Sequence, residues 1–223
     1  MRYNLTNVIS RGGCINIPAI ASRTYTRLKQ EAHYSSLVQT FADKLKEIKS
    51  LFERVKFFHQ KVDEAVNKVL SNEFVSPRIS CRPGCAHCCY TQVSVTQDEA
   101  EILASRIIAN ADEFDMGRLL VQAQALNSAD KWYGLSCAKR RCLFLNDDNL
   151  CSVYEDRPAV CRANYVLSAK ESCSTEDGQE HHVRLLSTAD ADMIIVGAFV
   201  HSAENGALPF MLWRAINKLK NQR

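Results

Sequence analysis

Cys81-Arg82-Pro83-Gly84-Cys85-Ala86-His87-Cys88-Cys89 places four of the chain's ten cysteines in one short stretch, a density that a packed core has no reason to require. A thiolate is a soft ligand suited to zinc or to an iron–sulfur cluster, and short spacings let one loop present several sulfurs to one centre. The competing reading is a disulfide framework, so the compartment has to be argued. Residues 1–30 lack the continuous apolar core of a secretory signal, and no apolar run reaches the roughly 18 residues of a membrane span. The expected location is cytoplasmic, where thiols stay reduced and a cysteine cluster reads as metal-binding or catalytic.

Upstream of the cluster, Arg2, Arg11, Arg23, Arg27 and Lys29 occur with no acidic residue before Glu31, the composition of an organelle transit peptide. Gly12, Gly13 and Pro18 interrupt any helix there, and the expectation is a poorly ordered leader over 1–34. A net charge of +3, from 28 basic and 25 acidic residues, is too balanced for a dedicated nucleic-acid surface. The basic triplet Lys139-Arg140-Arg141 sits beside Cys142, where it either offsets thiolate charge or stays solvated.

The clearest periodic element precedes the cysteines. Phe41, Leu45, Ile48, Phe52, Val55, His59, Val62, Val66 and Val69 alternate steps of four and three, which predicts one long amphipathic helix over 35–71, about 55 Å in length. Its stripe must pack on the same chain or pair with a partner or a second copy. His59 lies on the stripe and reads as a satisfied core histidine. After the cluster, Thr96-Gln97-Asp98-Glu99 is a capping box that opens a helix over 97–110, and a further helix is expected over 115–131. Residues from Thr188 to Val200 read as a helix buried on most sides, and Pro209 starts an amphipathic final helix. The fold class is therefore mainly α: a helical body with a cysteine-rich metal-binding core containing one short β-hairpin. The hairpin is read from Cys142-Leu-Phe-Leu145, Asn146-Asp-Asp-Asn149 and Leu150-Cys-Ser-Val-Tyr154, with Phe144 opposite Cys151 and Cys142 opposite Val153. That register sets the two cysteines diagonally about 7–8 Å apart, which suits a shared metal and not a disulfide.

Taken together, Cys81-x3-Cys85-x2-Cys88-Cys89, Val93 to Glu99, Cys142-Leu-Phe-Leu145, Cys151-Ser-Val-Tyr154 and Arg157-Pro-Ala-Val-Cys161-Arg162 resemble the YkgJ-like cysteine-cluster family, over residues 78–175. That family is described as a zinc- or iron-chelating domain, iron–sulfur in some members. The resemblance implies metal ligands among Cys81, Cys85, Cys88, Cys89, Cys142, Cys151, Cys161 and Cys173, and leaves open which of them share a centre. Cys14 and Cys137 match no element of it. Arg157 and Arg162 belong to the motif and are expected to bind the cofactor by donating to sulfur or to a carboxylate, a surface ion pair with Glu155 or Asp156 being the alternative.

Cys81-x3-Cys85-x2-Cys88 also has the spacing of radical S-adenosylmethionine enzymes, but helices and one hairpin follow it, not the strand–helix units of a partial barrel. Flagellin lysine N-methylases are similar to the family over the cysteine region and are associated with an iron–sulfur cluster and S-adenosylmethionine. The leading expectation is a metal-binding protein holding a four-iron cluster, or a zinc or iron ion. A methyl-transfer or redox enzyme using such a cluster, and a structural zinc domain, are the alternatives. The expected organisation is a leader over 1–34, the long helix over 35–75, and a metal-binding domain with C-terminal helices over 76–223.

Overall fold

The computed structural model describes residues 16–109 and 114–222; Cys14 and the first part of the expected leader lie outside them. The helices in chain order are α1 (Ala19–Leu28), α2 (Ala32–Glu47), α3 (Leu51–Leu70), α4 (Gln97–Ala109), α5 (Met116–Ala123), α6 (Ala129–Tyr133), α7 (Cys137–Arg140), α8 (Ala159–Ala163), α9 (Ala189–His201) and α10 (Leu208–Lys220). Two three-residue strands, β1 (Ser94–Thr96) and β2 (Asn205–Ala207), pair antiparallel with Val95 opposite Gly206. Each strand runs directly into a helix, so pairing β1 with β2 lays α4 beside α10. The chain is thus mainly α with a small antiparallel sheet.

Helix α9 is apolar around its whole circumference, so it has to be surrounded. It is: α1, α2 and α3 pack on it, with Val38, Phe41, Leu45, Phe58, Val62 and Val66 meeting Met193, Ile195 and Phe199. A Cβ at Gly197 would stand 2.8 Å from the Val38 carbonyl oxygen, so glycine lets α2 and α9 approach backbone to backbone. A second apolar cluster joins α4, α5 and α10 through Leu103, Ile107, Leu119, Leu212 and Ile216, and takes Cys142 and Cys151 on its edge.

Three expectations change here. The helix over 35–71 is two helices, because Ile48 turns extended and the Ser50 side chain caps α3 by accepting the Glu53 N–H at 3.3 Å. Arg54 fixes the break, donating to the Ile48 and Lys49 carbonyls at 2.9 and 3.0 Å and to both oxygens of Asp98. Most of the stripe faces the chain's own core, with Phe41, Leu45, Val55, His59, Val62 and Val66 buried and Phe52 left 51% exposed, so intramolecular packing is what is observed. Second, residues 19–34 are not a loose leader: Pro18 sits at the N-cap of α1, where its fixed φ starts a helix instead of interrupting one. The Thr24 hydroxyl donates to the buried Asp192 carboxylate at 2.7 Å and holds α1 to α9. Third, the helix expected over 115–131 stops at Ala123; Leu126 takes a left-handed φ of 52°, and Ser128 caps α6 anew.

The helical layers meet at Glu99, buried in the first turn of α4. One carboxylate oxygen accepts the Thr96 N–H at 3.0 Å and the Thr96 hydroxyl at 2.9 Å, completing the capping box. The other lies 3.0 Å from His59 Nε2 on α3 and accepts the Ala159 N–H, at the start of α8, at 2.8 Å. Burial pushes the Glu99 carboxyl up, but the hydrogen bond and field of His59, with the Ala159 and Thr96 amides, hold it below the ordinary value. His59 is the satisfied core histidine that its place on the stripe suggests.

Candidate metal centre

The cysteine loop is shaped by its own residues. Pro83 and Gly84 occupy the middle of a turn closed by the Cys85 N–H donating to the Arg82 carbonyl at 2.9 Å, and Gly84 has the φ of +81° that such a turn requires. A single 3-10 turn, His87–Tyr90, then carries Cys88 and Cys89. Two ties fix it: the Cys142 N–H donates to the Cys89 carbonyl at 2.8 Å, and the Trp132 indole N–H to the Tyr90 carbonyl at 3.0 Å. The Ser80 N–H donates to the Val166 carbonyl at 3.0 Å, which places Cys81 against the segment after α8.

The hairpin forms, though with a different register from the one expected. Leu145, not Phe144, faces Cys151, and the pairing is a single bridge. The cause is Asn149, left-handed at φ 59°, with the Asn146 side chain accepting the Leu150 N–H at 2.8 Å; together they close the turn between Asn146 and Leu150. Cys142 and Cys151 still come together at the edge of the second apolar cluster.

All eight expected ligands gather, and none of the nine described cysteines is in a disulfide. Cys173 feels the charge of Cys81, Cys85 and Cys88, and Cys81 that of Cys85 and Cys88; Cys89, Cys142 and Cys161 feel Cys88, and Cys142 and Cys161 feel Cys151. Packing of the Lys170–Cys173 turn on His87–Tyr90 brings Cys173 to the first set, and α8 brings Cys161 to the second. Among the described residues no three Cys, His, Asp or Glu side chains are placed to hold a single ion.

The electrostatics of the thiols follow from crowding. Burial, with the neighbouring thiols, pushes Cys142 and Cys173 up to about 11 and holds Cys161 well above the ordinary thiol value. Cys81 and Cys151 are raised chiefly by burial, and amides partly offset it: that of Val166 at Cys81, of Val153 at Cys151 and of Phe144 at Cys142. Cys88 is the exception, drawn down to about 7 by a hydrogen bond from the Cys89 thiol, against burial, with help from its own amide, the Asn164 side chain and the charge of Arg157. Cys89, which gives that hydrogen bond, is raised. A site of protonated thiols around one ready thiolate is what a cation would resolve by displacing protons.

The two arginines do different things. Arg157 lies over the Tyr154 ring at 4.0 Å and its field favours the thiolates of Cys88, Cys151 and Cys161. Its buried Nε has no partner among the described residues, an orphaned donor. Arg162 is itself buried and pairs with Asp63 on α3 at 2.6 Å, with further bonds to the Arg157 and Glu155 carbonyls. Asp156 pairs instead with Arg106 at 2.8 Å. The basic triplet divides: Arg140 is buried and bonds to Thr175, Arg141 pairs with Asp147, and Lys139 stays exposed.

Sequence reasoning missed Asn164, Thr175 and the reach of Glu99 to Ala159. None of them stands at a motif spacing; each matters because a distant segment is folded against it. Also unforeseen is a cavity of about 250 Å³ on the Cys85 side, bordered by Cys137, His87, Lys170, Ser174 and Glu176. The chemistry of the donors fits a thiophilic metal group: free thiols, amides that favour several of their thiolates, and no disulfide among the described cysteines competing for them.

No helix among the described residues is long and apolar enough to cross a membrane. No curated protein and no solved structure matches the chain. Residues 80–181 match the model of the CxxCxxCC family, described as a "putative zinc- or iron-chelating domain", and the matched stretch holds every cysteine of the array.

Proposed function

We propose that the protein is a metal-binding protein holding an iron–sulfur cluster in an array of two tetrads, Cys81, Cys85, Cys88 and Cys173, and Cys89, Cys142, Cys151 and Cys161. The observation that carries this reading is the gathering of eight free thiols from separated segments about the adjacent pair Cys88–Cys89. The matched family model is described as zinc- or iron-chelating, and eight thiols are more than one ion takes, whereas a cluster lets each cysteine bind its own iron atom. Such a cluster supplies one-electron chemistry when bound.

The chain's own groups would serve it as follows. Cys88, whose thiolate the Cys89 hydrogen bond and the Arg157 charge favour, is the natural first thiolate for the metal group. Arg157, whose charge favours the thiolates of Cys88, Cys151 and Cys161, would limit repulsion among them. Arg162, fixed to Asp63, holds the α8 segment and with it Cys161. Replacing Cys85 or Cys151 by serine tests the assignment: each variant is expected to lose half or more of its metal, while Cys137→Ser keeps it. Full metal content in both variants would remove those cysteines from the ligand set.

A further inference from the structure

We propose that the cavity beside Cys85 binds a small zwitterion of the α-amino-acid class, its carboxylate on Lys170, its ammonium on Glu176 and its side chain towards the thiol wall. The proposal rests on the metal-binding reading in one respect, that Cys85 in this wall is a ligand. At about 250 Å³ the space is smaller than pockets for drug-sized ligands and suits a compound of amino-acid size. Its rim carries one charge of each sign, and neither the Lys170 ammonium nor the Glu176 carboxylate makes a hydrogen bond or ion pair with another described residue. A simple anion would meet Glu176 and a simple cation would meet Lys170. Both residues are exposed, and a ligand bearing both charges is the one that complements the two together.

The rim is also held in place. Arg140, 1% exposed, donates to the Thr175 hydroxyl at 2.7 Å and to the Thr175 carbonyl, so the strip from Ser174 to Glu176 is clamped to α7, which begins at Cys137. Thr175 accepts that bond and keeps its own hydroxyl proton to offer. Lys170 opens the short 3-10 turn that ends in Cys173, so the cation and a member of the first tetrad share one rigid turn. Cys85 and Cys137 also line the cavity and give it soft, polarisable residues for the ligand's side chain.

The test is calorimetric titration of the purified full chain with S-methyl-L-cysteine, which carries both charges and a soft side chain. 2-(Methylthio)ethylamine lacks the carboxylate and 3-(methylthio)propionate lacks the ammonium. The zwitterion is expected to bind at least about tenfold more tightly than either control, and Lys170→Ala and Glu176→Ala to weaken it roughly three- to tenfold each, the effect of one partly exposed charge-assisted contact. Metal is quantified in the same samples. Protein that holds its metal but binds the zwitterion no better than the controls, or binds it equally in the double variant, overturns the proposal. Protein without metal instead overturns the reading of the cysteine array, and the two failures are thereby distinguished.

Discussion

Replacing Glu99 is expected to be among the most damaging single changes outside the cysteines. Its carboxylate accepts from Thr96 twice, accepts the Ala159 N–H and meets His59, so Glu99→Ala orphans two backbone amides, a hydroxyl and an imidazole in a site 1% exposed. Breaking a buried, hydrogen-bonded pair by removing one partner costs about 3–5 kcal/mol. Native stabilities lie near 5–15 kcal/mol, so this change would take a third or more of a typical value. Glu99→Gln keeps the shape and one acceptor but turns an N–H against a donor, at a cost of about 1–3 kcal/mol. Urea unfolding of the three proteins, followed by circular dichroism, gives the ordering directly. Since the Ala159 amide opens the helix that carries Cys161, Glu99→Ala should also speed alkylation of that thiol. A Glu99→Ala protein within about 1 kcal/mol of the parent, with unchanged Cys161 labelling, would refute this role of the buried carboxylate.

Other outcomes follow from the same geometry. Because the Glu99 carboxyl is depressed in the folded state, its contribution is present above the unfolded value of about 4.3 and is lost as pH falls through the lower folded value. The stability gap between the parent and Glu99→Gln should therefore narrow on acidification below about pH 4; a gap that widens has the sign wrong. Gly197→Ala would set a Cβ 2.8 Å from the Val38 carbonyl oxygen and 3.2 Å from Phe41, so a net loss of about 1–3 kcal/mol is expected despite the gain of about 1 kcal/mol in helix propensity. A more stable variant would mean that α2 and α9 move apart freely. Cys151→Ser should speed amide exchange at 87–91, through Cys142 and its bond to the Cys89 carbonyl, more than at 81–85. Equal change in both stretches would argue against two tetrads.

Much of this architecture is legible in the sequence because it is written in local signals. The capping box at Thr96–Glu99, the all-apolar run of α9 and the cysteine spacings each carry their meaning within a few residues. The break between α2 and α3 was equally local, since Ser50-x-x-Glu53 is itself a capping signal, but the three–four periodicity runs through it and hides it. Pro18 deceives in the same way, because proline stops a helix from within and starts one from its first turn. What no spacing reveals is long-range pairing. Glu99 meets Ala159, Arg162 meets Asp63 and Arg140 meets Thr175 across tens of residues, and the cavity beside Cys85 is bounded by four separate segments.

The central claim is the nature of the group held by the cysteines, and quantifying iron, acid-labile sulfide and zinc in anaerobically purified protein tests it most directly. Iron and sulfide in equal amounts, in a brown protein whose visible absorption bleaches on reduction, is the expected result. A colourless protein with tightly bound zinc and no sulfide would contradict it.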